Sequence, residues 1–350
     1  MSSTTAEATA ITHDLFGQEV AHLRVEYQAK RQRSDAFPPA GRPIVDMELV
    51  SGDIPAVRIW YQDGTQLGQY VRFFDIRGTL CDDILRLERP LPAVKGHYER
   101  GCLAEQWECL DGHVIRSLDQ CPSHPTEPEA DFEDVSDLVF KLPLIDVDSS
   151  KHFTKKGKYK SEIENLLKCQ GSACPGTALP PHLVHLLGAS ADGQLVFEKL
   201  STRGPTLARF SSLETYKRWN LDIVDALSCL HSLGIVHRDL RIDNCLFTPE
   251  GSRLVVCDLE SRWGQRAAAE IACDGGVDDS GWTARSDIHD IGNCIKCMVY
   301  ANAPITNQVE WPVPEPLQSV VVACMRTSPD DRPTLLELRR MVEEISVGGR

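Results

Sequence analysis

The sequence has no long hydrophobic run, because none of its apolar stretches approaches the ~18 residues that a membrane-spanning helix needs. Its first residues, MSSTTAEATAITHDLF, lack the charged start and apolar core of a secretory signal. Positive charge is also scarce, with 37 Lys and Arg against 51 Asp and Glu and a net charge of -14. Since phosphate backbones and anionic membranes demand a basic surface, we expect neither nucleic acid nor a membrane as a partner. An intracellular, cytoplasmic location is the resulting expectation.

The 13 cysteines do not resemble a disulfide framework, because they are odd in number, scattered and mostly set in apolar runs such as LVVCDL. Cys294 and Cys297 have a CxxC spacing but no second pair with which to bind zinc. Their helical apolar pattern, NCIKCMVY, predicts two helix residues. No internal repeat with a period of 20 to 50 residues occurs.

The first third of the chain divides into three stretches. Residues 1–35 are predicted to be a tail, disordered to about residue 12, and an amphipathic helix whose apolar residues have helical spacing: Phe16, Val20, Leu23 and Tyr27. Residues 36–120 are predicted to form a β-rich extension, with strands in IVDMELV, AVRIWYQ and QYVRFFDI and a hairpin in WECLDGHVIRSL. Residues 121–137 are acidic and proline-rich, which indicates an exposed linker.

The pattern then becomes more regular. LVFKLPLI is predicted to be a strand, YKSEIENLLKC a helix, HLVHLLGAS and QLVFEKL two strands, and LETYKRWNLDIVDALSCLHSLG a long helix. The basic run KHFTKKGKYK is interpreted as a solvated loop, with binding to the acidic linker as the alternative. A strand-rich part followed by a helical part, with polar motifs at the junction, indicates a cleft between two lobes.

Those polar motifs lie in GIVHRDLRIDNCLF and LVVCDLES. The first places Asn244 five residues after Asp239, and the second adds Asp258. This arrangement suits phosphoryl transfer, because one carboxylate can orient a hydroxyl while the other groups hold a metal ion.

HRDLRIDN resembles the catalytic loop of the protein kinase family. The resemblance implies that Asp239 orients a substrate hydroxyl, that Asn244 and Asp258 bind Mg²⁺, and that Arg241 stands near the transferred phosphate. It also implies ATP as the nucleotide and a protein as substrate or partner. Leu259 would fill the apolar slot of the Asp-Phe-Gly motif.

The resemblance extends upstream and downstream of this loop. Lys141 in LVFK resembles the strand lysine that binds the phosphates, and Glu162 its ion-pair partner, with Glu164 as the rival. The remaining residues that the resemblance assigns to nucleotide binding are Phe197, Glu198, Leu200 and Leu246. Those that it assigns to structural roles are His237, Arg238, Leu259, Glu270, Asp287, Gly292 and Arg332, with Arg332 expected to pair with Glu270.

The expected fold is therefore α+β: a bilobal protein kinase-like fold with an N-terminal α/β extension. The small β-rich N-lobe would cover residues 138–200 and the helical C-lobe residues 201–347, and the 36–120 extension could contribute to the N-lobe.

Three departures from the family pattern keep other functions open. No Gly-x-Gly-x-x-Gly precedes Lys141, Glu260 replaces the glycine of Asp-Phe-Gly, and only twelve residues separate Asp258 from Glu270. Glu260 also brings another carboxylate toward the metal. The leading hypothesis is an ATP- and Mg-dependent serine/threonine protein kinase. The alternatives are a pseudokinase that acts as a nucleotide-binding or scaffold protein, and a small-molecule kinase, since CDLE also resembles a motif of choline and aminoglycoside kinases.

Overall fold

A computed structural model of the chain describes residues 3–34, 44–50, 56–62, 68–74, 106–110, 114–118, 132–171, 179–261, 268, 270–271, 281–301 and 311–347. These residues form a mixed α+β structure with three sheets. No helix among them combines the length and the apolar character that crossing a membrane requires.

The β-rich extension forms a five-stranded sheet in the order β1-β2-β3-β4-β5. Its strands are β1 (Ile44–Val50), β2 (Ala56–Gln62), β3 (Gly68–Phe74), β4 (Gln106–Leu110) and β5 (Val114–Leu118). All neighbours are antiparallel except β3 and β4, which are parallel. The three predicted strands and the predicted hairpin are confirmed, while the turns between them lie outside the described residues.

A second sheet has three antiparallel strands in the order β6-β8-β7. They are β6 (His152–Lys155), β7 (Leu186–Ala189) and β8 (Leu195–Glu198), and helix α3 (Lys160–Cys169) follows β6. In α3 the buried residues have helical spacing, with Glu162, Ile163, Leu166 and Cys169 on the inner face. The predicted helix in YKSEIENLLKC and the strands β7 and β8 are confirmed.

The strand predicted in LVFKLPLI is wrong for its first half, whereas Leu144 in its second half forms a parallel β-bridge with Ala189 of β7. Residues Ser136–Val139 form a short helix, α2, and a turn at Phe140 and Lys141 follows it. The cause lies just upstream: Asp134 Oδ1 accepts a hydrogen bond from the amide of Ser136 at 3.0 Å, which favours a helical start over an extended chain.

The remaining described elements are mostly helices, and they contribute most of the apolar core, which also includes buried residues of the second sheet and α3. They are α4 (Arg203–Arg209), α5 (Leu213–Ser232), a 3₁₀ turn (Ile242–Asn244), β9 (Cys245–Phe247), β10 (Leu254–Val256), α6 (Ala284–Tyr300), α7 (Leu317–Cys324), a 3₁₀ turn (Pro329–Asp331) and α8 (Leu335–Glu343). Hydroxyl side chains cap three of these helices: Ser212 caps α5, while Thr283 and Thr334 form capping boxes on α6 and α8.

Helix α6 is buried along most of its length. Gly292 allows the close approach of α7, because a Cβ at this position would lie 2.4 Å from Met325 Cγ. Cys294 and Cys297 are buried free thiols in α6, which confirms that the CxxC residues are part of a helix.

The N-terminal helix α1 (Ser3–Ser34) begins at Ser3, whereas the sequence predicts a helix from about Thr12. Its predicted apolar positions pack on the helical core, with the Tyr27 ring 4.9 Å from Trp311 and 5.7 Å from Tyr300. Arg24 donates hydrogen bonds to carbonyl groups in the last turns of α4 and α6, including those of Leu207 and Val299. A cation is favourable there, because the carbonyl end of a helix carries partial negative charge.

Candidate active site

The candidate site is built around one lysine and three carboxylates. Lys155 ends β6, Glu162 lies in the first turn of α3, and Asp258 follows β10. Lys155 Nζ is 2.7 Å from Glu162 Oε1, 2.8 Å from Asp258 Oδ1 and 3.5 Å from Glu260 Oε1. We call these four residues the lysine cluster.

Negative charge exceeds positive charge in the lysine cluster. Burial alone would lower the pKa of Lys155, but Glu162 and Asp258 raise it above its ordinary value. Burial raises the pKa of Glu162 although Lys155 opposes the shift, and burial followed by the charge of Asp258 raises the pKa of Glu260. Glu162 Oε2 is buried without a hydrogen-bond partner among the described atoms. One ammonium group therefore does not fully compensate three carboxylates.

The predicted pairing of Lys141 with Glu162 is wrong. Lys141 is exposed in the turn after α2, and Lys155 takes the position beside the glutamate. The choice of Glu162 over Glu164 agrees with the structure, since Glu162 is buried and Glu164 is exposed.

Sequence reasoning missed Lys155 because it lies inside the basic run interpreted as a solvated loop. The available signal was the short β-like stretch HFTK directly before the Glu162 helix. Lys156, Lys158 and Lys160 in the same run are exposed, as predicted. The acidic linker does reach this run, because Glu133 Oε2 accepts a hydrogen bond from the amide of Lys160 at 2.7 Å.

Two polar side chains of α3 hold the segment that follows Asp258. Ser161 Oγ donates to the carbonyl of Glu260 at 2.8 Å, and Asn165 Nδ2 donates to the carbonyl of Leu259 at 2.8 Å. The Leu259 side chain is buried, as expected for an apolar slot. Asp258 has a φ of 64°, a conformation that a non-glycine residue keeps only where its surroundings hold it.

The predicted catalytic loop forms a second group of polar contacts. Asn244 Nδ2 donates to Asp239 Oδ2 at 2.9 Å and to the Asp239 carbonyl at 2.8 Å. Burial raises the pKa of Asp239, while Arg241 and Asn244 oppose the shift. Arg241 itself is exposed and forms an ion pair of 3.0 Å with Asp243.

A buried carboxylate fixes the start of this loop. Asp287 in α6 accepts hydrogen bonds from the amides of His237 at 2.8 Å and Arg238 at 2.9 Å, and it lies 2.8 Å from His231 Nε2. The Asp287 side chain is 0% exposed, and Arg238 has a φ of 70°. We call Asp287, His231, His237 and Arg238 the loop network.

The expected pair between Arg332 and Glu270 is present and bidentate, with both N···O distances 2.7 Å. Burial raises the pKa of Glu270, but the hydrogen bonds and charge of Arg332 outweigh it and keep the pKa below its ordinary value. Arg332 is almost fully buried, so this pair lies within the helical core.

The predicted nucleotide-binding segment runs beside β9. Phe197 is buried in β8, Glu198 is exposed at the end of that strand, and Leu200 is partly buried. Ser201 and Phe247 exchange two backbone hydrogen bonds of 2.7 Å and 2.9 Å. These bonds bring the segment next to β9, which contains the half-buried Leu246.

The site has the oxygen atoms that a divalent cation requires. One carboxylate oxygen each from Glu162, Asp258 and Glu260 lies within 4.8 Å of the other two. The backbone also brings Asn244 close to Asp258. The Asn244 carbonyl accepts a hydrogen bond at 2.9 Å from the amide of Cys257, the residue directly before Asp258. Hard cations such as Mg²⁺ prefer carboxylate and amide oxygens, so this donor set fits them.

Comparison with known proteins supports a distant relationship to protein kinases. The chain is 35% identical over 109 residues to MAP kinase-interacting serine/threonine-protein kinase 1 of Xenopus tropicalis, which covers 28% of this chain and 24% of the relative. It is 34% identical over 110 residues to the serine/threonine-protein kinase ksp1 of Schizosaccharomyces pombe, which covers 27% of this chain and 23% of the relative.

No protein-family model matches the chain. The matched part spans about a quarter of the length of these curated relatives. The chain thus has a distant, partial, protein kinase-like relationship to two serine/threonine kinases.

Proposed function

We propose that the protein is an ATP- and magnesium-dependent phosphotransferase that acts as a serine/threonine protein kinase. The observation that carries the proposal is the lysine cluster: Lys155 contacts both Glu162 and Asp258. The two serine/threonine kinase relatives support the same class of activity.

We infer that the second sheet with α3 forms one side of a cleft and the helical part the other. Lys155 and Glu162 belong to the first side, whereas Asp239, Asn244 and Asp258 belong to the second. The Lys155 contact with Asp258 connects the two sides. Such an arrangement can enclose a phosphate chain between a cation and metal-binding groups.

The residues present fit a magnesium nucleotide. Asp258 and Asn244 would hold the cation, with Asn244 offering its amide oxygen because its amide nitrogen donates to Asp239. Lys155 would bind phosphate oxygens, and Glu162 would keep the lysine in place. A bound magnesium nucleotide supplies the phosphoryl group and neutralises the charge that develops during its transfer.

Asp239 is the residue proposed to orient the substrate hydroxyl and accept its proton. Asn244 fixes its carboxylate through the 2.9 Å hydrogen bond, and burial raises its pKa toward the range useful to a general base. Arg241, on the exposed side of the loop, is proposed to approach the transferred phosphate.

The proposal is tested by phosphate transfer from labelled ATP to generic serine- and threonine-containing protein substrates. We expect Asp239→Asn to reduce transfer by about a hundredfold or more, because it removes the proposed base. Asp192→Asn, in the turn between β7 and β8, is the matched control and should transfer phosphate at the wild-type rate. Undiminished transfer by Asp239→Asn would contradict the assignment.

The alternative as a pseudokinase scaffold is favoured by one observation, the extra carboxylate of Glu260 near Lys155. Three acids around one lysine disfavour phosphate binding, which a scaffold does not need. A folded wild-type protein that binds no ATP, with or without Mg²⁺, would support this alternative.

Glu260 also favours the small-molecule kinase alternative, because Asp258 and Glu260 belong to the segment CDLE, which resembles a motif of choline and aminoglycoside kinases. Testing amino alcohols and aminoglycosides beside protein substrates in the transfer assay separates the two activities.

A further inference from the structure

Glu260 is the feature of the candidate site that the kinase-like pattern does not explain. It stands two residues after Asp258, at the position where the pattern has glycine. Its side chain is only 18% exposed, and Oε1 lies 3.5 Å from Lys155 Nζ. Its carbonyl accepts the 2.8 Å hydrogen bond from Ser161 Oγ, so the backbone at Glu260 is tied to α3. The carboxylate is therefore held near the lysine by the fold.

The charges that face Glu260 leave it incompletely compensated. Asp258 repels it, while Lys155 and Lys158 attract it. Lys155 is already shared with Glu162 and Asp258 at shorter distances. A phosphate chain bound to Lys155 would lie near these three carboxylates, and each of them would oppose its negative charge.

We propose that Glu260 is a specificity-determining residue that competes with phosphate for Lys155 and makes nucleotide binding depend on a divalent cation. This inference rests on the proposed function of the site. With a divalent cation present, Asp258 and Glu260 would change from lysine partners into cation ligands. Lys155 would then be available to the phosphate oxygens. Without the cation, both carboxylates would remain on the lysine.

The carboxylate spacing makes this exchange possible. One carboxylate oxygen of Asp258 and one of Glu260 lie within 4.8 Å of each other, so the two residues could share a cation while Glu162 stays on Lys155. Glu162 Oε2 has no hydrogen-bond partner among the described residues, which shows that Lys155 does not saturate the cluster. If Glu260 had a purely structural role, its removal would change the stability of the protein but would leave the dependence of nucleotide binding on metal unchanged.

The test measures the Kd of ATP by titration calorimetry, once in EDTA and once with Mg²⁺, for three proteins. They are wild type, Glu260→Gln and the matched control Glu164→Gln, which makes the same charge change on the exposed face of α3. For Glu260→Gln we expect metal-free ATP to bind about tenfold more tightly than to wild type, because one opposing charge near Lys155 is removed. The ratio of the metal-free Kd to the Mg²⁺ Kd should fall by about tenfold or more, whereas Glu164→Gln should keep the wild-type ratio.

The outcomes distinguish failure of this inference about Glu260 from failure of the proposed function. An unchanged ratio in Glu260→Gln would overturn this inference and leave the proposed function standing. Absence of ATP binding in all three folded proteins under both conditions would overturn both. If Glu260→Gln does not fold, Glu260→Gly removes the same charge and is measured in its place, with the same ratio expected.

Discussion

The loop network and the lysine cluster are both groups of charged residues, yet they differ in how well their charges are satisfied. In the loop network, Asp287 is fully buried, and two backbone amides and His231 surround its carboxylate. In the lysine cluster, three carboxylates share one ammonium group, and the pKa of Glu162 is raised by burial in spite of Lys155.

This difference in charge compensation indicates that the loop network and the lysine cluster have different roles. A satisfied buried carboxylate stabilises one backbone conformation, here the positive φ of Arg238 at the start of the loop. An undercompensated cluster can accept a new cation or exchange partners, which is what a ligand site requires. The loop network should therefore govern stability, and the lysine cluster should govern binding.

The largest stability effect is expected for Asp287→Ala. This substitution leaves the amides of His237 and Arg238 buried without their acceptor, so we expect it to lower the free energy of unfolding by about 3 kcal/mol or more. Asp243→Ala is the matched control, since it removes only partly exposed ion pairs and should cost less than about 1 kcal/mol. Urea unfolding measures both, and equal effects would contradict the contrast between buried and exposed carboxylates.

A smaller effect is expected from pH at His289 in α6. Burial first, and then Arg332, lower the pKa of His289 to about 4, while Glu270 opposes them. Between pH 6.5 and 4 the unfolded chain binds a proton here that the folded chain does not, so stability falls as the pH falls. From pH 7 to pH 5 the wild type should lose about 2 kcal/mol more than His289→Gln.

Urea unfolding of wild type and His289→Gln at both pH values measures this difference. The comparison removes the contributions of the buried carboxyl groups, whose raised pKa values change stability with pH in the opposite direction. Equal losses in the two proteins would show that His289 is protonated in the folded state at pH 5.

His237 and Arg238 of the loop network, and the neighbouring Asp239 and Asn244, could be predicted from the sequence, because HRDLRIDN is contiguous and resembles the catalytic loop of protein kinases. The contact of His231 with Asp287 joins residues 56 positions apart and could not be predicted. The helices followed from apolar periodicity in the same way, as α5 and the buried face of α3 show. These features depend on local spacing, which a sequence displays directly.

The lysine cluster could be predicted only in part. Lys155 lies on a strand of four residues, which is too short for alternation to distinguish it from a basic loop. The β-rich composition of LVFKLPLI predicts a strand at Lys141, whereas the Asp134 contact favours a helix just before it. The contacts of Ser161 and Asn165 join residues more than ninety positions apart, so no local pattern contains them.

The central claim is that Lys155, in the lysine cluster, binds nucleotide phosphates. The most direct measurement is the thermal shift produced by ATP with Mg²⁺ in wild type, Lys155→Met and Lys141→Met. The two variants each lose one positive charge. We predict a rise in Tm for wild type and for Lys141→Met and no rise for Lys155→Met, because only Lys155 lies beside Glu162 and Asp258. A rise that persists in Lys155→Met, or one that is lost in Lys141→Met, would contradict the claim.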